Sequence, residues 1–86
     1  MKKSHRTEVY VEIENERDHQ DSKWGPVDKK HHDLPAWMLI MRKELEEAEH
    51  AWMKEGNHNC KKEILQVVAV GIAALEQHGV VGRGSK

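Results

Sequence analysis

Residues 33–54, DLPAWMLIMRKELEEAEHAWMK, decide the fold of this chain. Apolar side chains recur there at intervals of three and four residues, which places them along one side of an α-helix; they are Met38, Met41, Leu45, Ala48 and Trp52. Asp33 is a typical N-cap residue, and Pro35 follows in the first turn, where a missing N–H is tolerated. We therefore predict an amphipathic helix from about Leu34 to Lys54.

A second helix is predicted before this one, from Thr7 to Trp24. Val9, Ile13, Gln20 and Trp24 recur there at helical intervals. The alternation of apolar residues between Val9 and Ile13 also fits a strand. Helix is favoured because good helix formers continue to Lys23. Gly25-Pro26 then ends the helix, since proline cannot continue it, and a polar loop follows.

The third predicted helix follows the break at Gly56, with Asn59 as its N-cap, and runs to His78 before Gly79. Its apolar residues surround much of the helix and are Ile64, Val67, Val68, Gly71, Ile72 and Leu75. Such a helix belongs in the centre of a bundle. Residues 66–74 are rich in valine and could be read locally as a strand, but the flanking Lys, Glu and Gln residues favour helix.

These elements predict an all-α chain: a short bundle of about three helices in one domain, residues 1–86, with flexible ends at about 1–6 and 80–86. A chain of 86 residues buries only about 60% of the surface that its unfolded form exposes. Its single cysteine, Cys60, leaves no internal disulfide to compensate. We therefore expect oligomerisation to complete the bundle, as a homodimer or a homotetramer.

Charge and hydropathy exclude several classes of protein. Fourteen basic and fifteen acidic residues give a net charge of −1, which lacks the clustered basic excess that duplex nucleic acid attracts. The longest apolar run, Val67 to Leu75, is too short to span a bilayer. Residues 1–6 are basic but lead into glutamates rather than an apolar segment, so they do not resemble a secretory signal. We expect a soluble cytoplasmic protein with no membrane partner.

Carboxylates stand at positions where a helix interface would carry apolar residues. Glu44 and Glu47 share one side of the second helix, and Glu63 and Gln66 repeat that spacing on the third. Two helices joined by a short loop pack antiparallel, so these groups should converge. Oxygen ligands without cysteine or histidine favour magnesium or manganese. The alternative is a solvated helix face, because 34% of the chain is charged.

Three segments together resemble a known family. In chain order they read ERDHQDSKWG at 16–25, LIMRKELEEA at 39–48 and KEILQVVAVGIAALE at 62–76. They are similar to the three helices of short, phage-type members of the MazG-like nucleotide pyrophosphohydrolases. The resemblance covers roughly residues 12 to 78, and the order of the three segments makes it more specific than any one of them.

The family signature is Glu-Glu-x-x-Glu followed, after a variable gap, by Glu-x-x-Asp. The resemblance implies metal-binding and catalytic roles for Glu44, Glu47 and Glu63, with Gln66 at the fourth ligand position. The chain departs from the signature because Lys43 replaces a glutamate and Gln66 an aspartate. Glu46 also stands where short relatives often have glycine. Lys43 would either bind a substrate phosphate or occupy the place of the metal.

The resemblance also implies an activity. Members of the family hydrolyse a (deoxy)nucleoside triphosphate to the monophosphate and pyrophosphate with Mg²⁺, and Mn²⁺ is an alternative. Lys23 is a candidate phosphate contact and Trp24 could stack on a base, whereas the structural alternatives are a solvated lysine and a core tryptophan. The rival function is a catalytically lapsed relative that binds a nucleotide or a protein. Host cytoplasm is expected if the chain is phage-encoded.

Overall fold

The computed structural model describes residues 3–84, and within them the chain is entirely helical apart from its loops. The helices are α1 (Lys3–Trp24), α2 (Leu34–Glu55) and α3 (Asn57–His78). The all-α prediction is therefore confirmed, and both strand alternatives are wrong for these residues. The predicted flexible ends stay a prediction: residues 80–84 lie outside any helix, and residues 1, 2, 85 and 86 lie outside the described part of the chain.

Two helix starts differ from the prediction. α1 begins at Lys3 rather than Thr7. α3 begins at Asn57, directly after Gly56, so the assignment of Asn59 as its N-cap is wrong. Gly56 has a φ of 80°, a conformation that glycine adopts without strain. The chain reverses at this one residue, and the side chain of Asn59 instead donates a hydrogen bond to the carboxylate of Glu55.

The remaining helix ends agree with their sequence signals. The side chain of Asp33 accepts a hydrogen bond from the backbone N–H of Ala36 at 2.9 Å, as an N-cap does. α1 stops at Trp24, before Gly25-Pro26. α3 stops before Gly79, whose N–H donates to the carbonyl of Leu75 at 2.7 Å.

α3 is the central helix, as predicted, because it packs against both α1 and α2, whereas the backbones of α1 and α2 do not come close to each other within the described residues. Small side chains dominate the buried core, whose members are Trp37, Ala48, Ala69, Val70, Ala73 and Ala74. Gly71 permits a close approach, since a Cβ there would lie 3.2 Å from the methyl carbon of Met41.

The side of α2 that faces α3 corrects the predicted stripe. Met38, Leu45 and Trp52 are 60%, 50% and 55% exposed, so they do not form the core of this chain. Two members of the stripe do face the core, since Ala48 is buried and Met41 packs against the buried cluster, and Trp37, outside the stripe, is buried as well. The stripe was predicted from apolar character alone, whereas close helix packing here selects small residues and one tryptophan. With α2 packed in this orientation, the side of the helix that carries Glu44 lies next to α3.

α1 is fastened to α3 by an ion pair. The guanidinium of Arg17 donates from Nε to Glu76 Oε2 at 2.7 Å and from Nη2 to Glu76 Oε1 at 2.9 Å. Nη2 also donates to Asp21 Oδ1 at 2.8 Å. Arg17 is only 5% exposed, so a buried charge is compensated by two carboxylates.

None of the three helices in residues 3–84 has the length and apolar character needed to cross a membrane.

Candidate metal and ligand site

Three glutamates converge between α2 and α3. Each of Glu44, Glu47 and Glu63 offers a carboxylate oxygen, and these oxygens lie within 4.8 Å of one another. Glu44 and Glu63 are half-buried and Glu47 is exposed. The convergence arises because Glu44 and Glu47 are one helical turn apart, and the antiparallel α3 brings Glu63 beside them. Such a set of oxygens suits a hard divalent cation.

The pKa of Glu44 is raised above its ordinary value of 4.5. Burial is the largest cause, because the charged form loses solvation. The nearby charge of Glu47, a hydrogen bond with Glu47 and the charge of Glu63 act in the same direction, while Lys43 opposes them. The negative charges therefore repel one another without full compensation from the protein, which is the electrostatic situation that a cation relieves.

Gln66 completes the cluster from α3. With its amide nitrogen turned toward the carboxylates, it donates to Glu63 Oε2 at 3.2 Å and to Glu44 Oε2 at 3.3 Å. The opposite orientation would bring its carbonyl oxygen among acceptors only. In that orientation Gln66 is a hydrogen-bond donor, whereas a metal ligand at this position would have to present its oxygen. A rotation of the amide by half a turn interchanges the two roles.

A cavity of about 450 Å³ opens beside this cluster. It occupies the space between α1 and α2, whose backbones do not come close to each other within the described residues. Its apolar surface includes Trp37, Ile40, Val70 and Ala73, and Glu44 and Gln66 also line it. The volume falls in the range of roughly 300–1,000 Å³ that small-molecule sites occupy.

α1 brings the predicted substrate contacts to this cavity. Lys23 and Trp24 both line it. The ammonium of Lys23 lies 4.9 Å from the ring centroid of Trp24, a cation–π contact. Trp24 is 60% exposed, so the alternative that it is a core residue is wrong. Lys23 covers one face of the indole, so a stacked base would use the other face or displace the lysine.

The loop between α1 and α2 forms another wall, which includes Lys30 and His32. Two neighbouring side chains of α3 hold this loop: His78 Nε2 lies 2.7 Å from the backbone carbonyl oxygen of His32, and Gln77 makes the larger number of hydrogen bonds. Its Oε1 accepts from the backbone N–H of His32 at 3.0 Å and from Trp37 Nε1 at 2.7 Å. Its Nε2 donates to the carbonyls of Val27 and Lys30. Gln77 thus fixes the loop against α2 and α3 at the same time.

Lys43 is separated from the other candidates. Lys43 is exposed and does not line the cavity. Its positive charge nevertheless offsets a small part of the rise in the pKa of Glu44. Glu47 and Glu63 also lie outside the cavity lining, but their carboxylate oxygens lie within 4.8 Å of that of Glu44, which does line it. The predicted residues therefore form one cluster at the cavity border, one pair on α1 and one lysine on the outer side of α2.

Sequence reasoning missed three contributors to the site: Arg17, Trp37 and Gln77. All three lie within the predicted helices, where the local pattern gives them no role in a site. Their partners are distant in sequence, 59 residues away for Arg17 and Glu76 and 40 for Trp37 and Gln77. No local pattern signals such a pair. The available hint was Gln77, a polar residue within one helical turn of Ala73 and Ala74, which are buried.

Comparisons of the chain with known protein families, with curated proteins and with solved structures found no match.

Proposed function

We propose that this chain is a divalent-cation-dependent pyrophosphohydrolase that converts (deoxy)nucleoside triphosphates to monophosphates and pyrophosphate. The observation that carries the proposal is the convergence of Glu44, Glu47 and Glu63 within 4.8 Å at the border of a cavity of about 450 Å³. The resemblance to the MazG-like enzymes assigns these same three glutamates to the metal. This chain departs from the family motif at Lys43 and Gln66, so the experiments must test whether the altered motif still binds a cation and supports hydrolysis.

In this proposal Glu44, Glu47 and Glu63 hold Mg²⁺ or Mn²⁺, and Gln66 turns its carbonyl oxygen inward as a weaker fourth ligand. The bound cation supplies neutralisation of phosphate charge and orientation of a water molecule. A carboxylate of the cluster accepts the proton of that water. Attack by the water breaks the linkage between the α- and β-phosphates, and pyrophosphate leaves.

The other assigned roles follow from position. Lys23 contacts phosphate, and Trp24 offers its free indole face to the base, because both line the cavity. Lys43 is exposed next to Glu44 and contacts the outer phosphates when the triphosphate reaches past the cluster. The proposed partners are a nucleoside triphosphate and further copies of this chain, in a dimer or tetramer. The proposed location is the cytoplasm, where such substrates are abundant.

The decisive experiment measures pyrophosphate released from the four ribonucleoside and four deoxyribonucleoside triphosphates while magnesium is titrated. Glu47→Gln removes one charged ligand and should lower turnover by roughly two orders of magnitude or more. Glu46→Gln is the matched control, because Glu46 is an exposed neighbour on α2 outside the cluster. Absence of hydrolysis of all eight nucleotides at saturating Mg²⁺ or Mn²⁺ would exclude the enzymatic proposal.

A second candidate function is a catalytically lapsed relative that binds a nucleotide or a protein. One observation favours it: the amide nitrogen of Gln66 can donate to Glu44 and Glu63, which partly replaces a cation. In that case nucleoside triphosphates should raise the melting temperature without being hydrolysed. The same thermal shift with and without magnesium would distinguish this function from the enzyme, whose substrate binding depends on the cation.

A further inference from the structure

The chain exposes more surface than its mass requires. A folded protein of 10.0 kDa is expected to expose roughly 5,200 Å², whereas this one exposes 7046 Å². Its radius of gyration is 14.0 Å, against about 12 Å for a compact chain of this length. The excess surface, roughly 1,800 Å², is larger than the ~800 Å² that each partner buries in a standard interface. One copy therefore has the area that a stable dimer needs.

Part of the excess lies in the first half of α1. We call residues 4–12 the arm, and all of them are exposed. Val9 and Tyr10 precede Ile13 by four and three residues, so they lie on the same side of the helix as Ile13 and Arg17. Ile13 is half-buried and Arg17 is buried. The packing side of α1 thus continues along the arm, where Val9 and Tyr10 are 48% and 63% exposed.

A second apolar surface lies between α2 and α3. We call it the groove; it has a volume of about 380 Å³ and is lined mainly by Leu45, Ala48, Trp52, Met53, Cys60 and Ile64. Its large side chains are about half exposed or more, with Met53 at 74%. Glu49 is its one charged lining residue. An apolar surface rimmed by polar residues is typical of a binding surface.

The arm and the groove lie at opposite ends of α3. Arg17, just past the arm, is bonded to Glu76 in the last turn of α3, whereas Cys60 and Ile64 lie in its first turns. A two-fold axis perpendicular to α3 reverses the direction of α3 in a second copy. The arm of each copy then meets the groove of the other, and the same contact forms twice, as a closed dimer requires.

Charge favours this arrangement. The arm carries two glutamates, Glu8 and Glu12, and one arginine, Arg6, and all three are exposed. Lys61 and Lys62, also exposed, follow Cys60 at the groove. The arm therefore has a small acidic excess that meets a pair of lysines at the groove, and such complementarity steers association. The net charge of −1 adds little repulsion between copies.

We propose that the two surfaces bind each other in a symmetric homodimer, with the arm of each chain lying in the groove of a second copy. The second copy is the occupant because both complementary surfaces belong to the same chain. The dimer also enlarges a core that is small in one copy, since six apolar residues are buried within the described part of the chain. Neither surface contains a residue of the proposed catalytic cluster, so this assembly stands or falls independently of nucleotide hydrolysis.

Sedimentation velocity at micromolar concentration tests the proposal. The wild type should sediment as a dimer, about twice the 10.0 kDa chain mass. Tyr10→Glu on the arm and Met53→Glu in the groove should each weaken dimerisation at least tenfold. Asn15→Glu is the charge control, because Asn15 is exposed and lies on the other side of α1 from Tyr10. A monomeric wild type, or dimerisation unaffected by both variants, overturns the proposal.

Mixing the two variants distinguishes exchange from simple pairing of like surfaces. In a mixed dimer, the unchanged arm of the Met53→Glu chain lies in the unchanged groove of the Tyr10→Glu chain. One of the two arm–groove contacts is therefore the wild-type contact. The mixture should therefore associate more tightly than either variant alone. If arms pair with arms and grooves with grooves, mixing restores no intact contact. No gain on mixing therefore overturns the arm-in-groove arrangement.

Cross-linking gives a readout that does not depend on charge substitutions or their effect on folding. Cys60 lines the groove, so a cysteine introduced at Val9 or Tyr10 should approach Cys60 of the second copy. Mild oxidation should then give a covalent dimer in high yield, because a disulfide requires Cα atoms within about 7 Å. Asn15→Cys is the control and should cross-link poorly. Equal yields from all three positions would contradict the proposal.

Discussion

Arg17 and Glu76 lie 59 residues apart in sequence and are joined by two parallel hydrogen bonds, of 2.7 and 2.9 Å. A planar guanidinium matches a carboxylate in this two-point geometry, which adds direction to the charge attraction. Asp21 adds a third hydrogen bond from within α1. Since α1 packs against α3, and its backbone does not come close to that of α2 in the described residues, this pair determines where the α1 wall of the cavity stands.

Replacing Arg17 should therefore loosen α1. Arg17→Met keeps much of the apolar length and removes the charge, and hydrogen bonds to charged groups contribute about 1.5–3 kcal/mol. We expect the melting temperature to fall by roughly 10 °C at fixed protein concentration. Arg42→Met is the control, because Arg42 is exposed and lines neither the cavity nor the groove. A similar fall in the melting temperature of both variants would show that the Arg17–Glu76 pair stabilises the fold no more than an exposed arginine does.

The same pair predicts a dependence of stability on pH. The hydrogen bond from Arg17 lowers the pKa of Glu76 below its ordinary value of 4.5. The folded state thus favours the ionised form, and the contribution is complete above pH 4.5 and disappears as pH falls through the lower pKa of the folded state. The difference in unfolding free energy between wild type and Glu76→Gln should be largest near neutral pH and shrink below pH 4.5. Urea titrations across this range measure it, and a constant difference would contradict the assignment.

Magnesium should stabilise the protein through the glutamate cluster. A cation that binds only the folded state raises the melting temperature. Glu47→Gln should abolish the magnesium shift, since it removes one of three converging carboxylates, and helical content should stay unchanged. Glu46→Gln should keep the shift. Equal shifts in wild type and Glu47→Gln would place the cation elsewhere.

Gln66→Asp tests the altered motif. The substitution replaces a donor to Glu63 and Glu44 with a fourth carboxylate. Two opposite effects should follow: a lower melting temperature without metal, because like charges are added, and tighter magnesium binding. If the chain is an active enzyme, the magnesium concentration for half-maximal pyrophosphate release should fall about tenfold.

The Gln66→Asp variant has its own control and an extension. Asn15→Asp adds the same charge at an exposed position of α1 and should change neither quantity. If wild type is inactive and Gln66→Asp restores little, combining it with Lys43→Glu should recover hydrolysis. If Lys43 contacts substrate phosphate instead, Lys43→Glu alone should raise the Michaelis constant.

Gln77 should control the order of the α1–α2 loop. Gln77→Met preserves length but removes the hydrogen bonds to His32, Trp37, Val27 and Lys30. Amide exchange at His32 should accelerate at least tenfold, which corresponds to about 1.4 kcal/mol of local stability. Amides in the middle of α3 should keep their protection. Unchanged exchange at His32 would show that the loop is held by other contacts.

The local structure was readable from short-range signals. Helix ends at Trp24 and His78 follow Gly-Pro and glycine signals, and the start of α2 follows Asp33 and Pro35, because capping and backbone geometry depend on adjacent residues. α3 begins a few residues earlier than predicted because the chain needs only Gly56 to reverse, so the N-cap signal at Asn59 is not used. α1 also begins earlier, at Lys3 rather than Thr7.

The convergence of Glu44, Glu47 and Glu63 was also predictable, because it requires only helical spacing and an antiparallel pair. The exposed side of α2 was not. Met38, Leu45 and Trp52 have the spacing of a core stripe yet remain exposed. Apolar periodicity shows that a helix has an apolar side, but it does not show whether the same chain or another covers that side.

By itself, then, the sequence determined that the chain forms three helices and that four oxygen-bearing side chains fall on facing helical turns. These properties depend on contacts three or four residues apart, which are encoded locally. Only the tertiary structure decided how α1 joins α3 through Arg17 and Glu76, and how Gln77 holds the loop. Those contacts connect residues 40 or more positions apart, and their partners are selected by three-dimensional packing. The cavity exists because that packing lets α3 separate α1 from α2.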